Sequence, residues 1–115
     1  METSYIPPSS VAKEAQRALD AKEKYKDRVK GGTRVGWTRA NQLAKQEPVS
    51  IDTIKRMVSF FARHEGNQEV EKGKDWFEDA GKIAWLLWGG DAGKTWANKV
   101  LDKHNKEMKE KVFII

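Results

Sequence analysis

Apolar and polar positions alternate most clearly between Ile51 and His64. Ile54, Met57, Val58 and Phe61 fall at i, i+3, i+4 and i+7, while Asp52, Lys55, Arg56, Ser59 and Arg63 share the opposite face. This predicts an amphipathic helix with Ser50 as its N-cap and Asp52 at the positive end of its dipole. A shorter helix is expected over Thr38–Gln46, with Glu47-Pro48-Val49 as the break between the two. Upstream, Ser9 or Ser10 is placed to cap a helix running to about Val29. Its apolar stripe (Val11, Ala15, Ala18, Leu19, Tyr25 and Val29) is narrow enough to pack by one edge only. Gly31-Gly32 forms the hinge before the central pair, and Trp37 is expected to plug the core beside Ala40, Leu43 and Ala44. Downstream, Gly66–Asp75 is polar and reads as a loop. Trp76, Phe77, Ala80, Ile83, Ala84 and Leu87 then keep helical spacing as far as Gly89-Gly90. Gly89 is a natural helix stop and Asp91 a natural N-cap for a last helix. That helix places Ala92, Trp96, Val100, His104 and Met108 on one stripe, with Ala97 and Leu101 beside it. The pattern predicts an all-α fold, a compact bundle of about five helices. An extended arm (residues 1–9) precedes the domain (10–111), and an apolar tail (112–115) follows it.

Composition narrows this. With 115 residues the chain is one domain, and 38% hydrophobic content makes its core modest, so the five tryptophans carry much of the buried area. The absence of cysteine excludes disulfides and thiolate metal sites. Met1–Ser10 lacks the basic start and apolar run of a signal peptide, and Ile83–Trp88 is too short to span a bilayer. An intracellular chain without membrane contact is expected. The net charge of +5 is uneven: residues 1–39 hold nine Lys/Arg against five Asp/Glu, and residues 66–115 nine against nine. A basic first third suits nucleic acid or an acidic protein face; a solvated, salt-bridged helix has the same composition.

Candidate chemistry is sparse. Gly89-Gly90-Asp91-Ala92-Gly93-Lys94-Thr95 is similar to the end of a phosphate-binding loop, but Trp88 stands where that motif needs glycine, so the segment reads as a helix stop and restart. His64 and His104 have no second ligand at a metal-like spacing. No nucleophile–base–orienter set can be assembled, so neither an enzyme nor a cofactor is expected. The tryptophans are suited to stacking on unpaired bases, yet a small core needs them. Trp85 and Trp88, three positions apart, cannot both be central to one stripe; their neighbourhood is the expected protein-contact surface, together with Phe113, Ile114 and Ile115.

The central pair resembles the helix-turn-helix of repressor-type DNA-binding proteins. Ala44 is the small residue of the first helix, Val49-Ser50 opens the second, and Thr53-Ile54 and Arg56 follow at the matching intervals. The resemblance implies that Ser50, Ile51, Asp52, Lys55 and Arg56 face a groove. The chain departs from the pattern at Pro48, where the family has a left-handed glycine. Two blocks, GGTRVGWTRANQLAKQEPVSIDTIKRMVSFFARHE and DAGKIAWLLWGGDAGKTWANKVL, also resemble a small uncharacterised helical domain of tailed bacteriophages and prophages. That domain occurs alone or attached to other phage polypeptides, including head-assembly proteins. The likeness covers about Ser9–His104 and implies a viral context, in host cytoplasm or virion, without a mechanism. The expected function is therefore a non-enzymatic phage accessory protein. One version binds nucleic acid or a nucleoprotein assembly through Lys22, Lys24, Lys26, Arg28, Lys30, Arg34, Arg39, Ser50, Lys55 and Arg56. The other is a structural or host-modulating module that meets a phage or host protein through the Trp and tail surface.

Overall fold

In chain order the elements are β1 (Ser4–Tyr5), α1 (Ser9–Tyr25), α2 (Arg34–Ala44), β2 (Val49–Ser50), α3 (Ile51–Arg63), α4 (Ala80–Leu87) and α5 (Gly90–Ile114). The computed structural model describes residues 4–70 and 72–114, with side chains at all of these except 67, 68 and 111–114. The fold is an all-α bundle of five helices, with one short antiparallel ladder pairing Ser4 with Ser50 and Tyr5 with Val49.

Small side chains put α1 at the centre rather than at an edge. Val11, Ala15 and Ala18 are fully buried and Ala12 and Ala21 nearly so, which lets α2, α4 and α5 all pack against it. A stripe of alanines is narrow in area but permits close approach from several sides, so the expectation of single-edge packing is corrected. The helix is preceded by Pro8, not capped by Ser9 or Ser10. It ends at Tyr25, before a short 3-10 turn over Lys26–Arg28. Tyr25 stacks flat on Phe77 with ring centroids 3.8 Å apart, tying this corner to the turn before α4.

After Gly31 and Gly32, both at positive φ, Thr33 Oγ1 accepts the Gly36 N–H at 3.0 Å and starts α2 at Arg34. The expected start at Thr38 was one turn late, and Trp37, a helical residue, packs half-buried against the core that holds Ala40 and Leu43. The helix ends in two closing bonds, Glu47 N–H to Gln42 O and Gln46 N–H to Leu43 O, with Gln46 at φ +54°. This is a Schellman-type stop with Gln46 as its left-handed residue. Pro48 therefore has no need of the conformation it cannot adopt. The Gln46 amide also reaches across to Pro7 O at 2.9 Å, fastening the arm, whose Pro7 is fully buried.

The pattern of α3 is the one expected, with Ser50 Oγ accepting the Thr53 N–H at 3.2 Å. Ile54, Met57 and Phe61 are buried, Val58 is half-buried, and Phe60 joins the core at the edge of the stripe. Trp76 and Phe77 lie in a 3-10 turn, and α4 begins only at Ala80, capped by Asp79. Gly89, at φ +106°, reverses the chain, and α5 starts at once at Gly90. Asp91 is not its cap: its carboxylate accepts the indole N–H of buried Trp85 at 2.8 Å. Along α5, Ala97 is fully buried, whereas Ala92, Trp96, Val100 and His104 are half-buried and Met108 is 48% exposed. Its seam therefore runs through Gly93 and Ala97, and the expected stripe flanks it. The backbone of 112–114 continues the helix.

Candidate functional site

The amphipathic pattern of α3 turns Lys55, Arg56, Ser59 and Arg63 away from the core, and the end of α4 delivers Trp88 beside them. With Phe60 these residues line a groove of about 320 Å³. Phe60 and Trp88 stack nearly parallel, 16° apart, with ring centroids separated by 5.1 Å. From α2, the Arg39 guanidinium lies 5.5 Å from the Trp88 ring centroid, close enough for a cation–π contact.

Charge at this face is mostly positive, although Asp52 shares the outer side of α3. Among the described residues no carboxylate forms an ion pair with Arg39, Lys55, Arg56 or Arg63; Arg17 pairs with Glu14, Lys94 with Glu65, and Arg28 with Asp75 and Glu78. Arg39 carries the clearest signature. Its Nε is buried with no hydrogen-bond partner among the described residues, and one of its terminal nitrogens contacts Gln42 Oε1. Desolvation by burial, and then the charge of Arg56, push its guanidinium below the ordinary value. Like charges held together without a counter-charge repel, and an anion arriving among them relieves that repulsion.

Of the ten residues expected to contact nucleic acid, Arg39, Lys55 and Arg56 converge here. Ser50 sits at the start of the same helix with its hydroxyl engaged as the cap. Lys22, Lys24, Lys26, Arg28 and Lys30 gather at the far end of α1, and Arg34 opens α2. Several of that α1 group have local work. Lys22 and Lys30 donate to the carbonyls of Lys26 and Asp27, and Arg28 lies over the Tyr25–Phe77 stack while pairing with Asp75 and Glu78. Lys22 and Lys24 also lie in the last turn of α1, where positive charge complements the dipole.

Among the residues expected to contact protein, Trp85 is 1% exposed, its ring edge-on to Phe61 at 4.8 Å, so it does not belong to an outer surface. Trp88 is half-buried and belongs to the basic groove. The side chains of Phe113 and Ile114, and the whole of Ile115, lie outside the described residues. Sequence reasoning missed Arg63 and Phe60 as site residues. Arg63 was within reach, since it stands seven positions after Arg56 and so on the same helical face; the approach of Trp88 from another helix left no local signal.

Among the described residues no group of three or more His, Asp or Glu side chains is placed to hold a metal ion, and no helix is long and apolar enough to cross a membrane. No protein-family model, curated protein or solved structure was found to match the chain.

Proposed function

We propose that this chain is a non-enzymatic bacteriophage accessory protein that binds nucleic acid, free or within a nucleoprotein assembly, through the basic face of α2 and α3. The observation that carries the binding is the convergence of Arg39, Lys55, Arg56 and Arg63 around Trp88, with no ion pair to any of the four among the described residues. Guanidinium groups suit phosphate because their forked donors match its oxygens, and each phosphate neutralised releases counterions. The viral context rests on the sequence resemblance alone. A gel-shift titration with mixed-sequence DNA and RNA tests the binding. Complexes are expected at low salt that dissociate steeply as salt rises. Absence of complexes at low salt, or affinity indifferent to salt, would sink the proposal.

One observation favours a second reading, a structural or host-modulating module that grips another protein. All side chains from Asn105 to Glu110 of α5 are exposed, Met108 among them, so this end of the helix is open to a partner. Removing residues 112–115 is then expected to abolish a defined oligomer or partner complex in sedimentation while leaving helix content intact. An unchanged sedimentation profile counts against it.

A further inference from the structure

The groove contains more than phosphate binding requires. A face that meets only the backbone of a duplex needs cations and polar donors; this one has two aromatic rings among its cations. Rings in flush contact lie about 3.5–4 Å apart, whereas Phe60 and Trp88 are near-parallel with centroids at 5.1 Å. They are slipped past one another, so Phe60 covers only part of the Trp88 ring, and Trp88 lines the groove. Arg39, over the same ring but not lining the groove, fixes the indole from α2. The volume of about 320 Å³ lies near the lower end of ligand clefts, roughly 300–1,000 Å³, and leaves room for one flat heterocycle.

Within a duplex both faces of each base are covered by its neighbours, and only unpaired bases offer a free π-face to a side chain. We infer that the groove accepts an unpaired base against Trp88, with the flanking phosphates on Lys55, Arg56 and Arg63, so that the ligand class is single-stranded nucleic acid. This rests on the reading that the same face binds nucleic acid. Lys55, Arg56 and Arg63 supply affinity that falls with salt, and Trp88 supplies a contribution that depends on the presence of a base.

Three labelled probes separate these contributions by fluorescence anisotropy at low salt: an oligothymidylate of roughly 12 nucleotides, an abasic strand of the same length and charge, and a duplex of that length. The wild-type protein is expected to bind the oligothymidylate roughly tenfold more tightly than the abasic strand, within the range one stacked base contributes. Trp88→Leu should bring the two to near parity, lowering affinity for the oligothymidylate more than for the abasic strand, and Trp88→Phe should keep most of the preference. The wild-type comparison needs no variant, and the Phe variant serves if the Leu variant fails to fold. Equal wild-type affinity for the oligothymidylate and abasic strands overturns the inference. So does a preference that survives Trp88→Leu, or tighter binding of the duplex than of the oligothymidylate; each leaves electrostatic binding standing. Failure of all three probes to bind at low salt overturns the underlying reading as well.

Discussion

Trp85 and Trp88 stand three positions apart in a single short helix and its end, and their neighbours give them opposite roles. Trp85 is sealed between Phe61 and the start of α5, with its N–H on Asp91; Trp88 slips over Phe60 at the rim of the basic groove. Helical spacing showed that the two could not share one stripe. It could not say which lies inside, because the choice depends on an acceptor reached only after the chain reverses at Gly89. Asp91→Ala removes the only acceptor that the described residues give the Trp85 N–H. Leaving a buried donor unsatisfied costs roughly 1–3 kcal/mol, and water entering beside exposed Asp91 should hold the loss to about 1–2 kcal/mol in urea denaturation. Asp91→Asn retains an acceptor oxygen and should lose less. If the alanine variant is as stable as wild type, the hydrogen bond does not contribute as argued.

At the scale of elements, the interiors of helices were legible and their ends less so. The stripe of α3 is regular and its cap stands one residue before the pattern, so both could be read directly. The start of α2 was missed because Thr33 follows two glycines, and Val35-Gly36-Trp37 looks like a continuing loop until Gly36 is seen donating to Thr33. The junction of α4 and α5 was legible as a stop and restart but not as a close contact. A Cβ on Gly93 would sit 2.5 Å from Trp88 O and 3.3 Å from Phe61 Cζ. The first of these is backbone, fixed by the turn at Gly89, and cannot rotate aside. Gly93→Ala is therefore expected to cost about 2–3 kcal/mol, at the upper end of overpacking penalties, and to lower the thermal midpoint. Lys99→Ala, exposed on the same helix, should change stability by less than about 0.5 kcal/mol. Equal stability of the two variants would mean that α4 and α5 separate readily at this crossing.

Over the whole molecule, overhang and charge placement both escape residue counting. The radius of gyration, 15.4 Å, exceeds the roughly 13 Å of a compact chain this long, and the body measures 57 × 26 × 22 Å. The excess comes from α5, whose 25 residues give a rod of about 37 Å. Charge shows the same limit of linear reading. The surplus counted along the chain lies in the first third, where Arg28 pairs with Asp75 and Glu78, about fifty positions away, while Lys22, Lys24 and Lys26, like the α2–α3 cluster, have no ion pair among the described residues. Two triple variants weigh the alternatives at constant net charge. Lys22→Gln/Lys24→Gln/Lys26→Gln and Lys55→Gln/Arg56→Gln/Arg63→Gln each remove three of the five excess positive charges. If Arg39, Lys55, Arg56 and Arg63 each neutralise a phosphate of a single strand, log affinity should fall against log salt with a slope of about −3. The second variant should flatten that slope by about 2, and the first should change it by less than about 0.5. Equal flattening by both would mean that the protein attracts nucleic acid through its overall field, and the groove would lose its claim as the binding face.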